Sequence, residues 1–248
     1  MKEINNAIIL DYIHFLKSKK NLQENTVIRY MKVVKKITNM ALANDWIDKN
    51  PFMNIHFHEQ EVHKEFLTKE ELEILRTKVF NVPRLELVRD IFLFQCWTGL
   101  AFIDVSELKP EHLVTDNEGN IWIRKARQKT KIMCNIPVLP VAASILDKYK
   151  DVAECTGKLL PVLCNQRMNS YLKEIADVCG IHKNLSTHTA RHSYATSVCL
   201  ANGVSMENVA KMLGHADTNV TKHYARVLDQ NILKDMQKVN SCLSELAI

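Results

Sequence analysis

The chain has 248 residues, of which 46% are hydrophobic and 25% charged, with a formal net charge of +5 and a pI near 8.7. This composition excludes an intrinsically disordered chain and supplies enough apolar surface for one large domain or two smaller ones. No apolar run approaches the ~20 residues of a membrane span, and residues 1–6 lack the layout of a secretory signal, so we expect a cytoplasmic protein.

The cysteine and histidine patterns bear on compartment and metal binding. Seven cysteines are scattered along the chain without a Cys-x-x-Cys pair, which favours a reducing compartment over structural disulfides or a zinc ribbon. His56, His58 and His63 could bind zinc, but Glu59 and Glu61 lie between them, and we favour a solvated linker. These patterns therefore predict no zinc site.

The first part of the chain is predicted to be a separate helical domain. Apolar periodicity indicates helices near 3–19 and 24–44, and the stretch 52–66 has the composition of a linker. We therefore divide the chain into a domain at 1–62 and a second domain at 63–248.

A basic window in the first domain predicts an anion-binding surface. Residues 17–36 carry seven Lys or Arg side chains and one glutamate. The net charge of this window is therefore higher than the +5 of the whole chain. The side chains that we expect to bind phosphates are Lys19, Lys20, Arg29, Lys32 and Lys36. On the same helix, the residues expected to pack on the domain core are Tyr30, Val33, Val34, Ile37 and Ala41. An ordinary solvated amphipathic helix is the alternative.

The second domain is predicted to be mainly helical with a small antiparallel sheet. Thr68 and Glu71 form a capping-box pattern, and a mostly apolar helix follows over 85–94. After Pro110, β-rich runs predict strands near 112–114, 121–124 and 132–138. Further helices are predicted near 141–154, 166–179, 189–201, 206–213 and 219–226.

Polar residues in the last third of the chain suit attack on a phosphodiester. Arg191 can bind two non-bridging oxygens at once, and His188 and His215 can donate a hydrogen bond or move a proton. A tyrosine hydroxyl, with a pKa of about 10, needs such groups to act as a nucleophile at neutral pH. Tyr224 is the predicted nucleophile.

These motifs resemble a known family. His188-x-x-Arg191, Leu213-Gly214-His215 and Tyr224 are similar to the C-terminal signature of the tyrosine recombinases, the phage-integrase family. Further matching landmarks are Asn25-Thr26-Val27, Trp46–Pro51, Leu67–Glu71 and Thr98-Gly99-Leu100. The resemblance implies a helical core-binding domain, a catalytic domain, and a site-specific recombinase that forms a 3′-phosphotyrosine with DNA.

The resemblance also implies partners and further site residues. Lys129, in the basic turn between the last two strands, would protonate the leaving 5′ oxygen, and Arg127 in that turn would bind DNA. Strand exchange would proceed through a Holliday junction in a tetramer on two DNA duplexes, without ATP, metal or another cofactor, and an accessory DNA-bending protein is a candidate partner. Thr98 to Asp104 is most similar to integrases of Bacteroidetes mobile elements. Such integrases often carry an arm-type DNA-binding domain before the core; if one was removed here, we expect weak recombination.

One position departs from the family pattern. Ala101 stands where the family has a second arginine on the scissile phosphate, and Arg89, on the apolar helix that leads to this gap, is our candidate replacement. The alternatives for Arg89 are ion pairs with Asp90, Glu86 or Asp104. The weaker candidates for the second cation are Arg124 and Arg127. Without any replacement, the chain would be a catalytically weakened relative with an architectural or regulatory role on DNA.

Overall fold

The structure, a computed structural model, describes residues 4–60, 64–217, 221, 236–237 and 240. The chain divides into two compact units, 1–63 and 64–248. The boundary predicted between residues 62 and 63 falls among residues outside the described ranges and stays a prediction. The fold class is confirmed, because the described part is mainly helical with one small antiparallel sheet.

The first unit is built on two helices, α1 (Asn6–Ser18) and α2 (Glu24–Ala43). Asn5 caps α1 by accepting a hydrogen bond from the backbone N–H of Ile8 at 3.0 Å. The core of this unit consists of Ile9, Leu16, Val27, Met31 and Phe52. The prediction of a linker over 52–66 is wrong at its start, since Phe52 is buried and Ile55 and Phe57 pack beside it.

The predicted packing face of α2 is right in part. Ala41 is buried and Val34 packs on the core of the unit. The prediction is wrong for the other three residues, since Tyr30, Val33 and Ile37 are 48%, 56% and 49% exposed. The apolar residues of α2 cover most of its circumference, so periodicity alone did not distinguish the buried stripe from its neighbour.

The second unit is organised around a central helix, α4 (Pro83–Thr98). It is preceded by α3 (Lys69–Thr77), which begins with the predicted capping box of Thr68 and Glu71, and followed by the short α5 (Phe102–Ser106). Helix α4 is apolar on nearly every side because it contacts α3 and three later helices, α6 (Pro140–Lys148), α8 (Asn165–Cys179) and α9 (Thr187–Ser193).

Three antiparallel strands form the sheet in the order β1-β2-β3, as predicted. They are β1 (Leu113–Thr115), β2 (Ile121–Ala126) and β3 (Met133–Pro137), and a 3₁₀ turn at Pro110–His112 precedes them. In the β2–β3 pairing, Ala126 lies opposite Met133. The hairpin between them therefore presents residues 127–132 at one end of the sheet.

The later helices follow the predicted order with two local differences. The helix predicted over 141–154 is divided at Tyr149 into α6 and α7 (Lys150–Thr156). The helix predicted over 189–201 begins two residues earlier as α9 and continues as a π-helical turn, Tyr194–Cys199, and a 3₁₀ turn, Leu200–Asn202. Helix α10 (Met206–Leu213) has its predicted bounds, and the helix predicted over 219–226 lies almost entirely outside the described residues.

Two negative findings concern only the described part of the chain. None of its helices combines the length and hydropathy needed to cross a bilayer. Nor do three or more of its His, Cys, Asp or Glu side chains converge as a metal site would require.

Candidate active site

Arg191 is the centre of the candidate site and is only 3% exposed. Its Nη1 donates to the carbonyl oxygen of Gly99 at 2.7 Å, and its Nη2 donates to that of Leu213 at 2.5 Å. Gly99 caps the C-terminus of α4 and Leu213 is the last residue of α10, so the guanidinium joins two helix ends that carry partial negative charge. The arginine is thereby fixed in place by the backbone of two distant segments.

The glycines of the Thr-Gly-Leu and Leu-Gly-His motifs make this arrangement possible. Gly99 and Gly214 have φ values of 68° and 61°, a left-handed conformation that favours glycine at helix ends. A Cβ on Gly99 would lie 2.2 Å from the ring of Tyr194, and one on Gly214 would lie 2.7 Å from Cys134 Sγ. Both motifs therefore act as helix stops that permit close packing around Arg191.

His215 follows the second stop and contacts Arg191 directly. Its Nε2 lies 3.1 Å from Arg191 Nη2, and because a guanidinium can only donate, Nε2 must accept. The proton of the neutral ring is then on Nδ1, which donates to Thr221 Oγ1 at 2.9 Å. Desolvation and the charge of Arg191 lower the pKa of His215 to about 4, so the imidazole is neutral at pH 7.

His188 lies one helical turn before Arg191 on α9 and is exposed. Its ring meets that of His192 edge-on, with 4.5 Å between the ring centroids. Desolvation and neighbouring positive charges lower the pKa of His188, and the pKa of the buried His192 falls to about 3. Both rings are therefore neutral at pH 7, and only His188 is accessible to a substrate.

The β2–β3 hairpin carries Lys129 and is fastened on both sides of it. The backbone N–H of Gln128 donates to the buried Asp104 at 2.9 Å, and Thr130 Oγ1 donates to the carbonyl oxygen of Gly214 at 3.0 Å. The second bond reaches the residue immediately before His215. Lys129 itself is exposed, and its charge contributes to the lowered pKa of His188. The charge of the hairpin lysine thus acts on His188.

Arg127, predicted only as a DNA-binding residue and a weaker candidate for the second cation, lies close to the same centre. A Cβ on Gly214 would lie 3.4 Å from Arg127 Cβ. Its charge lowers the pKa of both His188 and His215. Its Nε is buried, and no hydrogen-bond partner for it is found among the described residues. The sequence shows that Arg127 lies in a basic turn, two residues before Lys129. This position alone does not distinguish an arginine that binds a phosphate from a solvated arginine in a turn.

The structure does not bring Arg89 into this group, and the expected catalytic role is corrected. Arg89 Nε donates to Asp90 at 2.6 Å, and Nη1 donates to the carbonyl oxygens of Leu75 and Lys78 at 3.2 and 2.8 Å. These carbonyls lie at the C-terminal end of α3. The buried cation therefore takes the ion-pair alternative and also caps a helix, because an unpaired guanidinium in this apolar setting would be costly.

The phosphate-binding role of five residues in the first unit stays a prediction. Lys19, Lys20, Arg29, Lys32 and Lys36 are all exposed. Lys32 is paired with Glu59, and Lys20 lies over the ring of Phe15. The other candidate cation, Arg124, is exposed on β2 opposite Asn135. Tyr224, the predicted nucleophile, lies outside the described residues.

Two family models match the chain. The phage integrase family matches residues 65–231, and the phage integrase SAM-like domain matches residues 1–59. The tyrosine recombinase XerD of Halalkalibacterium halodurans is 25% identical over 245 residues, which cover 91% of this chain and 78% of that protein. XerD of Listeria monocytogenes is 42% identical over 156 residues, which cover 57% of this chain and 50% of that protein.

Solved structures show the same fold. The XerH recombinase bound to palindromic difH DNA aligns with a TM-score of 0.75 at 18% identity, covering 95% of this chain and 72% of XerH. The Tn1549 transposon integrase bound to a circular-intermediate DNA gives 0.73 at 15% identity, covering 96% and 86%. A lambda integrase tetramer bound to a Holliday junction gives 0.69 at 17% identity, covering 88% and 66%. Since the family model alone spans more than half of the sequence, this chain belongs to the phage integrase family, the tyrosine recombinases, which are site-specific enzymes that cleave and rejoin DNA.

Proposed function

We propose that this chain breaks and rejoins DNA through Tyr224, with Arg191, His188, His215, Lys129 and Arg127 as the supporting catalytic residues. The observation that carries the proposal is the buried Arg191, which is held by the backbone of the Thr-Gly-Leu and Leu-Gly-His motifs and by His215. A fixed cation of this kind costs no reorganisation when negative charge develops on a phosphate.

The reaction proceeds by in-line displacement at phosphorus. The Tyr224 oxygen forms a bond to phosphorus, the bond from phosphorus to the 5′ oxygen breaks, and Lys129 transfers a proton to that oxygen. We assign the proton of Tyr224 to His188, whose ring is neutral and exposed, because Nε2 of His215 already accepts from Arg191. A 3′-phosphotyrosine and a free 5′-hydroxyl result, and attack by the 5′-hydroxyl of a partner strand reverses the steps.

Arg127 takes the place of the arginine that the family has at Ala101. Two observations support it: its buried Nε, for which the described residues supply no hydrogen bond, and its electrostatic action on both histidines. The hairpin that carries Arg127 is fastened to Asp104, three residues beyond Ala101. A cation on this hairpin can therefore approach the phosphate from the side where the methyl group of Ala101 leaves a gap.

The assembly and the biological setting are finer parts of the proposal. By similarity to the lambda integrase tetramer on a Holliday junction, the chain acts as a tetramer on two duplexes. The residues of the first unit that contact DNA phosphates are Lys19, Lys20, Arg29, Lys32 and Lys36. The stretch Thr98 to Asp104 and the similarity to a transposon integrase favour a mobile element, and within that class a Bacteroidetes integrase.

The decisive experiment is covalent capture. The protein and its Tyr224→Phe variant are incubated in EDTA with nicked duplexes from a library of randomised sequence, and denaturant-resistant protein–DNA adducts are recovered. We expect adducts only when the tyrosine is present, since the ester bond survives denaturation and a phenyl ring cannot form it. Sequence-specific binding without an adduct would instead indicate an architectural DNA-binding protein.

A further inference from the structure

Lys64 lies beside α9, the helix that carries His188 and Arg191. The segment that follows Lys64 is hydrogen-bonded to both ends of this helix. The carboxylate of Glu65 accepts a hydrogen bond from the backbone N–H of Asn184, three residues before α9, at 3.0 Å. The N–H of Leu67 donates to Ser193 Oγ, at the last residue of α9, at 2.9 Å, and the Leu67 side chain is fully buried. The chain at residues 65–67 therefore runs alongside α9.

The charge of Lys64 acts on the exposed face of the site. After desolvation, it is the strongest of the charges that lower the pKa of His188, ahead of Arg191. It also contributes to the lowered pKa values of His192 and His215. The geometry agrees, since Lys64 directly precedes Glu65, whose carboxylate binds the backbone of Asn184 just before α9.

Lys64 differs from the neighbouring lysine in having no counter-ion among the described residues. Lys183 donates to Glu71 at 2.5 Å, whereas no hydrogen bond or ion pair of Lys64 is found within the described part of the chain. It is an exposed cation, and its charge lowers the pKa of His188 together with those of Arg191, Arg127 and Lys129. Four positive charges that act on one ring favour an anion bound beside it.

We propose that Lys64 is a further catalytic residue, whose ammonium group contacts a non-bridging oxygen of the scissile phosphate beside Arg191. This inference rests on the proposed function and adds to it a cation supplied by the segment that begins the second unit. Together with Arg127 it makes up for the single charge that Ala101 lacks. The prediction of a linker over 52–66 is therefore also wrong at its end, because Glu65 and Leu67 are hydrogen-bonded to both ends of α9.

The test compares Lys64→Met and Lys64→Arg with Lys69→Met, an exposed lysine of the same segment at the start of α3. The substrate is a nicked duplex selected by wild-type covalent capture, and the rate of adduct formation is measured in a single turnover. We expect Lys64→Met to lose about 10-fold to 100-fold in rate, the scale of one transition-state contact. Lys64→Arg should retain most of the rate, Lys69→Met should match the wild type, and equilibrium binding should change by less than about threefold.

A neutral scissile phosphate locates the contact. With a methylphosphonate at the scissile position, the charge that Lys64 stabilises is removed, so the wild-type and Lys64→Met rates should differ by less than about threefold. An undiminished difference on this substrate would place Lys64 on another phosphate and overturn the proposal, as would equal rates on the natural phosphate. Failure of the wild type to form any adduct would overturn the proposed function itself, and the role of Lys64 with it.

Discussion

At the residue scale, the two arginines considered as replacements for the missing one differ in how their charge is used. The Arg89 side chain is 11% exposed. Its guanidinium donates to carbonyl oxygens at the C-terminal end of α3 and pairs with Asp90. Arg127 has a buried Nε for which the described residues offer no partner. A cation with a complete set of partners stabilises the fold, whereas a guanidinium with a buried, unpaired nitrogen is a candidate for binding or catalysis.

Exchanging each arginine for methionine separates these roles. Arg127→Met should lower the single-turnover cleavage rate by about 100-fold with little change in the free energy of unfolding, because it removes a charge from the transition state. Arg89→Met should destabilise the second unit by about 2 kcal/mol, since it leaves Asp90 with fewer partners, and should leave the cleavage rate of the folded fraction nearly unchanged. If Arg89→Met instead slowed cleavage and Arg127→Met did not, Arg89 would be the second cation.

At the element scale, the C-terminal stop of α10 controls how the hairpin and His215 meet. Gly214 is in the left-handed region, its carbonyl oxygen accepts from Thr130 on the hairpin, and Cys134 of β3 packs against its Cα. One residue therefore fixes the relative positions of Lys129 and His215, through its conformation and through the absence of a side chain.

Gly214→Ala should destabilise the protein by about 1–3 kcal/mol. Part of this cost is the left-handed conformation, roughly 1 kcal/mol, and part is the overlap of the new Cβ with Cys134 Sγ. The control is Gly180→Ala, where the left-handed cost arises with no atom near the added carbon. In chemical denaturation, Gly214→Ala combined with Cys134→Ala should be more stable than the sum of the single changes predicts. If the losses in free energy of unfolding of the single variants simply added in the double variant, the added Cβ and the Cys134 side chain would not be in steric conflict.

The sequence predicted the elements around the site better than their contacts. The capping box, the three strands, and the bounds of α10 follow from local signals that act within a few residues. The carbonyl partners of Arg89, the buried face of α2 and the docking of residues 65–67 depend on segments far away in the chain. Arg89 pairs with Asp90 at 2.6 Å and lies 3.9 Å from Glu86, both near it in sequence. Its bonds to the carbonyl oxygens at the end of α3 depend on the packing of α3 against α4.

The tyrosine-recombinase motifs were recognised by residue type, yet their geometric meaning came from the structure. Arg191 contacts His215, and the glycines of the two motifs are the helix stops whose neighbouring carbonyl groups hold Arg191. Lys64 carried no signal, because a single lysine before a capping box is common and its surroundings are set by α9. Such a residue can be found only once the tertiary contacts are known.

At the scale of the whole molecule, neutral histidines within a cationic site make stability depend on pH. His188, His192 and His215 all have lowered pKa values, with about 3 for His192 and about 4 for His215. The unfolded chain, whose histidines titrate near 6.5, binds more protons than the folded chain below that pH. Stability is therefore complete above pH 6.5 and is lost as pH falls towards 4. Asp116, whose pKa is lowered to about 2, adds a further loss only below about pH 3.8.

Between pH 6.5 and 4.5 we therefore expect the free energy of unfolding of the second unit to fall by roughly 2 kcal/mol or more, because His192 is buried and stays neutral across this range. Denaturation by urea in a Trp46→Phe background reports on this unit, since the remaining tryptophans, Trp97 and Trp122, lie within it. His192→Phe removes the most strongly shifted ring and should flatten the pH dependence. An unchanged slope in that variant would assign the loss to other groups. A bound DNA phosphate favours protonated imidazoles, so saturation with a captured duplex should shift the midpoint of the acid loss to lower pH.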